Sequence, residues 1–288
     1  MEVIEVKPYG YCSGVLLALR KALEAKRLRP DKSVYLLGML VHNEDSVASL
    51  KKEGLLLLDE RNEDLKSQLE KAEEGATVIF SAHGHPRVYD EIAHRKSIET
   101  IDCACPFVTQ NEEEAHQKIA TGEEIIYLGV KGHLESEAFR QNVEEAAFFD
   151  VHSFDFEKEK ISVEDPLLLC QTTLSEDEIE LAVSELLPTY PRLKRGKLRC
   201  ASTSLRQAAI KALPQDVEAV LVLGSNTSNN SLKLLETAHK MGFPSFLARN
   251  LEQVKSLPLG QYRKLALASG ASTSVETYAE VKAYCETL

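Results

Sequence analysis

Residues 9–18 read YGYCSGVLLA. They hold Cys12 in a glycine-flanked turn, ahead of an apolar run that can open a helix. A thiol in a core needs no special turn, whereas one held between Gly10 and Gly14 suggests a site. Five further cysteines stand at 103, 105, 170, 200 and 285, with no C-x-x-C to announce a zinc ribbon or a thioredoxin motif. Cys12, Cys105 and Cys200 are 93 and 95 residues apart in a chain of 288, a third of which is 96. This spacing suggests three copies of one structural unit.

Other landmarks keep the same phase. YLLGMLVHN, IIYLGVKGH and VLVLGSNTSNN each run apolar, then glycine, then polar; Gly38, Gly129 and Gly224 follow the three cysteines by 26, 24 and 24 residues. In VIFSAHG, LLLCQTTLS and LALASGAS, the residues Ser81, Gln171 and Ser269 follow them by 69, 66 and 69. Short apolar runs alternate with amphipathic stretches at 64–76, 175–190 and 228–242, which read as helices. Ser175 suits a helix cap and Gly242 a helix stop. The fold class expected is α/β: three pseudo-threefold-related units with parallel sheets, arranged as a trefoil around a central site. Their expected extents are 1–102, 103–197 and 198–288.

Composition excludes several classes. The chain is 43% hydrophobic and 27% charged, an ordinary globular mixture, and no apolar run is long enough to span a membrane. The N-terminal stretch is acidic and alternating, which reads as a strand and not a signal peptide, so a cytoplasmic location is expected. The net charge of −11 argues against a nucleic-acid partner. Isolated cysteines in a cytoplasmic protein argue against a disulfide framework.

In parallel α/β sheets, ligands gather at the carboxyl ends of strands. Here those ends carry His42-Asn43, His83-Gly84, His133, Gln171-Thr172-Thr173, Ser228-Asn229-Asn230 and Ser272. Three units facing one axis would also deliver one cysteine each. Three thiolates suit an iron–sulfur cluster with one open iron better than a closed zinc site. Cys103 competes with Cys105 for that role, but only Cys105 keeps the 24-residue offset to the next glycine. His42, His83 and His133, with nearby hydroxyls and amides, suit an anion such as phosphate. The absence of a P-loop and of G-x-G-x-x-G disfavours a nucleotide. Glu135, two residues past His133, is the carboxyl placed for proton delivery; a lone loop acid would otherwise read as solvated.

In order and spacing, YCSGV, VHN, SAHG, DCACP, GHLE, QTTLS, CASTSLRQ, SNN and GAST make the chain resemble the 4-hydroxy-3-methylbut-2-enyl diphosphate reductases of non-mevalonate isoprenoid synthesis. The resemblance implies an α/β trefoil around a [4Fe–4S] cluster held by Cys12, Cys105 and Cys200. It implies diphosphate binding by His42, His83, His133, Ser228, Asn230 and Ser272, and catalytic roles for Glu135 and Thr172. It implies reductive removal of the allylic hydroxyl to give isopentenyl and dimethylallyl diphosphate, with ferredoxin or flavodoxin as electron donor. Leu17, Leu134, Asn226-Thr227 and Ser274 stand where the family usually has Arg, Pro, Lys-Asn and Pro. Two other readings compete. One is an iron–sulfur hydro-lyase that needs no reductant; the other is a divergent paralogue that binds an isoprenoid diphosphate or senses redox state or iron without turnover.

Overall fold

Strand and helix alternate along the chain, as the apolar rhythm predicts. The structure, a computed structural model, describes residues 1–59, 63–197 and 200–288. From the N-terminus come β1 (Glu2–Glu5), α1 (Ser13–Arg27), β2 (Val34–Leu37), α2 (Glu44–Lys52), β3 (Leu56–Leu58) and α3 (Leu65–Lys71). Then follow β4 (Thr77–Phe80), α4 (Val88–Arg95), β5 (Glu99–Asp102), α5 (Pro106–Ala120), β6 (Ile125–Gly129) and α6 (Leu134–Asn142). Next are β7 (Ala147–Asp150), β8 (Leu167–Cys170), α7 (Glu176–Leu186), β9 (Lys194–Arg195) and α8 (Ser202–Lys211). The chain continues through β10 (Ala219–Leu223), α9 (Asn229–Lys240), β11 (Ser245–Ala248), α10 (Leu251–Lys255), β12 (Lys264–Ser269) and α11 (Val275–Thr287).

The strands form three four-stranded sheets, ordered β3-β2-β4-β5, β7-β6-β8-β9 and β11-β10-β12-β1. Every strand pair is parallel. In each sheet the first strand lies between the second and third, and a fourth lies at the edge. In the third sheet that edge is β1, with Glu2 opposite Lys264 and Glu5 opposite Leu267. The sheet formed by the last third therefore takes its fourth strand from the start of the chain, which the division at 102 had placed in the first unit. The expected start of the third unit, residue 198, lies outside the described residues.

This topology explains the spacing of the cysteines. Cys12, Cys105 and Cys200 follow β1, β5 and β9, the edge strand of each sheet, and precede α1, α5 and α8. Gly38, Gly129 and Gly224 end or follow the first strand of each sheet; Ser81, Gln171 and Ser269 end or follow the third.

Parallel sheets covered on both faces need apolar residues at successive positions. In β6, Ile126 and Leu128 pack on one face with Leu168 and α7. Ile125 and Tyr127 pack on the other with Phe139 and Leu169. In β10 and β12, Leu221 and Leu267 face one cluster while Val222 and Ala268 face another. Helix ends follow local chemistry. Ser175 and Glu178 form a reciprocal capping box on α7, which ends at Leu186 ahead of Pro188. The helix expected over 64–76 stops at Lys71, because Ala72 turns to an extended conformation and Gly75 takes a left-handed one.

Two compact units emerge. One comprises Met1–Leu16, Val41–Glu53 and Ala201–Leu288; the other comprises Leu17–Leu40 and Gly54–Cys200. The first contains the β11-β10-β12-β1 sheet and the second contains the other two. No described helix is long and apolar enough to cross a membrane.

Candidate functional site

In the unit built on β10 and β12, the turn after β12 gathers several of the expected residues. The Cys12 amide donates to the Ala271 carbonyl at 3.0 Å. The Ala271 amide donates to Asn230 Oδ1 at 3.1 Å, and the Asn230 amide group donates to Thr203 Oγ1 at 2.9 Å. Ser272 Oγ donates to the His42 carbonyl at 3.2 Å. Ser228 caps α9, its hydroxyl accepting from the Ser231 amide. Cys12, His42, Asn230 and Ser272 thus meet at one strand end. Burial lowers the pKa of the His42 imidazole, opposed by the neighbouring Glu44. Gly10 adopts a left-handed conformation, and a Cβ there would meet Val275 at 2.7 Å, so the turn carrying Cys12 needs glycine.

Arg206 locks this turn in place. It is buried, and its guanidinium donates to the Pro8, Ser269 and Gly10 carbonyls, each at 2.8 Å. It ties the loop that bears Cys12 to the end of β12. It lies within the stretch CASTSLRQ, but its role is hidden there because its acceptors are backbone carbonyls far away along the chain.

The second unit holds Cys105, His83, His133, Glu135 and Thr172. The Cys105 amide donates to the Ala82 carbonyl at 2.9 Å, beside His83. The His83 and His133 rings meet edge to face, with centroids 5.5 Å apart. His133 caps α6 by accepting the Glu135 amide on Nδ1 at 3.2 Å, which leaves Nε2 as the donor of the neutral ring. Leu134, at the family's usual proline, takes the first helical position of α6.

Glu135 is 1% exposed. Its Oε1 accepts the Thr172 amide at 2.6 Å and its Oε2 accepts Thr172 Oγ1 at 2.8 Å. Burial, with the nearby Glu112 carboxyl adding to it, raises the Glu135 pKa to about 7; the two Thr172 donors and Tyr127 pull the other way. A buried carboxyl poised near neutrality, on a donor at the next strand end, is equipped to hand over a proton. Gln171 secures this geometry: its Oε1 accepts from the Val130 amide and Ser136 Oγ, both at 2.9 Å. Asn111 of α5 holds the Cys170 carbonyl at 2.9 Å. Glu112 of α5 accepts from the Asn142 amide group, and burial raises its pKa.

The six cysteines fall into two groups. Burial raises the thiol pKa of Cys103 and Cys170 to about 12 and that of Cys285 to about 11, so these stay protonated. Cys12, Cys105 and Cys200 are half-buried and stand at helix N-termini. Cys12 Sγ accepts the Val15 amide at 3.5 Å, and Cys105 is the cap of α5 with Pro106 in its first turn. Helix N-termini favour thiolates and the negative charge of a cluster. Ser274, at another usual proline, caps α11 by accepting the Thr277 amide at 3.0 Å.

The profile of the LytB protein family matches residues 3–286. The chain is 32% identical to 4-hydroxy-3-methylbut-2-enyl diphosphate reductase of Geobacillus sp. strain WCH70, over 99% of this chain and 90% of that protein. It is 34% identical to the reductase of the same name from Ralstonia nicotianae, over 96% and 83%. The solved structure of the E-1-hydroxy-2-methyl-but-2-enyl-4-diphosphate reductase from Plasmodium falciparum superposes with a TM-score of 0.84 at 26% identity, covering 98% of this chain and 87% of that one.

Proposed function

The chain belongs to the LytB protein family, and on that premise we propose that it reduces 4-hydroxy-3-methylbut-2-enyl diphosphate, the last step of the non-mevalonate isoprenoid pathway. One allylic alcohol diphosphate, two electrons and two protons give isopentenyl or dimethylallyl diphosphate and water. The allylic C–O bond breaks, a C–H bond forms, and the hydroxyl leaves as water. The observation that carries this reading is the buried Glu135 carboxyl on its two Thr172 donors.

Cys12, Cys105 and Cys200 would hold a [4Fe–4S] cluster, leaving one iron without a protein ligand. Their chemistry fits, since each stands at the start of a helix, whereas burial keeps Cys103, Cys170 and Cys285 protonated. When bound, that group supplies the two electrons one at a time and a Lewis-acid site for the hydroxyl oxygen.

The protein's own part is binding, orientation and proton supply. His42, His83, His133, Ser228, Asn230 and Ser272 would take the diphosphate by hydrogen bonding, with imidazole Nε2–H groups and hydroxyls as donors. Thr172 Oγ1, already hydrogen-bonded to Glu135, would pass a proton from that carboxyl to the substrate hydroxyl. Burial of Glu135 keeps the proton available at neutral pH and keeps bulk water from competing. The electron donor is of ferredoxin or flavodoxin type.

Anaerobically purified protein with this substrate and a low-potential reductant tests the reading. Reductant-dependent formation of the two C5 diphosphates supports it. Substrate loss without reductant, or binding without turnover on a loaded cluster, overturns it.

A further inference from the structure

Tyr127 is a fully buried tyrosine with no part in the mechanism above. It lies on β6, and its ring stacks on Phe139 with centroids 3.7 Å apart and planes 12° apart. Phe139 and Glu135 are four residues apart on α6, so they share a helix face one turn apart. A ring laid on Phe139 therefore carries its hydroxyl toward the turn that holds Glu135. The hydroxyl is close enough to interact with that carboxyl. Among the described residues, however, it completes no hydrogen bond of ordinary geometry. A buried hydroxyl left in that condition is costly, and it has one strong acceptor within reach.

Resting on the reductase reading, we propose that Tyr127 is a positioning residue for Glu135: its hydroxyl is the third donor to that carboxylate, engaged once the carboxyl has given up its proton. Thr172 already occupies one position on each carboxylate oxygen. A protonated carboxyl needs no further donor, but an ionised one in an apolar enclosure does. On proton transfer the O–H of Tyr127 turns onto the carboxylate, and it turns away when a proton returns. No bond of the tyrosine breaks. The other titratable groups facing this pair are Glu112 of α5 and Cys170 of β8. The thiol of Cys170 stays protonated, and Glu112 is a like charge that Tyr127→Phe leaves in place.

The test is an infrared titration of the holoprotein, following the protonated-carboxyl stretch assigned by its absence in Glu135→Gln. In Tyr127→Phe the midpoint of that band is expected to rise by about 1 pH unit, because the anion has lost a donor. Iron content and melting temperature should stay at the wild-type level. The limb of kcat against pH should move by the same amount, with kcat a few-fold lower and KM for the diphosphate unchanged. A midpoint that stays put or falls overturns the proposal, including where kcat drops, since that pattern reports packing alone. The infrared midpoint does not depend on turnover. A wild-type protein that makes no product would therefore defeat the reductase reading while leaving this coupling open to decision.

Discussion

Thr172 holds Glu135 at both carboxylate oxygens, by its amide at 2.6 Å and its hydroxyl at 2.8 Å. The amide sits at the end of β8 and cannot be removed by substitution, but the hydroxyl can. Hydrogen bonds to charged groups contribute ~1.5–3 kcal/mol. Thr172→Val should therefore lower kcat by roughly 10–100-fold, and Thr172→Ser should restore most of it. Steady-state kinetics of the two variants checks this; equal losses in both would show that the methyl group matters and not the hydroxyl.

Glu135 binds its proton more tightly folded than unfolded, since burial raises its pKa from the ordinary carboxyl range to about 7. The folded state then carries more protons than the unfolded state between about pH 4.5 and 7, so stability falls as pH rises through that window. The size is ~3 kcal/mol from the shift alone. Denaturant unfolding at a series of pH values should show this slope in the wild type and a flatter one in Glu135→Gln. As a proton donor, Glu135 should also make kcat decline as pH rises past about 7.

Iron content should divide the cysteines. Cys12→Ser, Cys105→Ser and Cys200→Ser should each lose most of the iron of the anaerobically purified protein. Cys103→Ala and Cys170→Ala should retain it, because burial holds those thiols protonated. Iron analysis with the visible spectrum reads this directly, and iron retained in Cys12→Ser would remove that residue from the ligand set.

Arg206→Met should destabilise the protein by ~3 kcal/mol or more, since three carbonyls lose a charged donor in a buried place. Arg206→Lys should recover only part of this, because an ammonium cannot match the planar fork. Urea unfolding measures both. A wild-type midpoint for Arg206→Met would mean that the turn bearing Cys12 is held by other contacts.

The alternation of strand and helix, and the placing of Cys12, Cys105 and Cys200, were legible because each lies between an edge strand and the next helix, in a repeat close to a third of the chain. His42, His133, Ser228 and Ser272 were legible because polar residues after apolar runs mark the carboxyl ends of parallel strands. What stayed hidden depends on tertiary packing. No local pattern says that β1 pairs with β12, since an edge strand reads alike at either end of a chain. Glu112 is one of three consecutive glutamates, and only packing shows that it is shielded. Tyr127 occupies a core position in an apolar strand, where its hydroxyl has no period to reveal it. The helix expected over 64–76 ran long because its composition favours helix through Glu74, whereas the turn at Ala72–Gly75 ends it.

The pairing of β1 with β12 sets an order on synthesis. A ribosome adds roughly 5–20 residues per second, so Lys264 emerges on the order of 10–50 s after Glu2. Until then the first strand has no partner, and the Cys12 amide has no Ala271 carbonyl to meet. The nascent chain therefore carries a loose N-terminal thiol while the sheets of β2–β5 and β6–β9 can already close. On the proposed ligand set, the cluster would therefore be completed only after synthesis, and a chain stalled before residue 264 is left with an unpaired strand open to association.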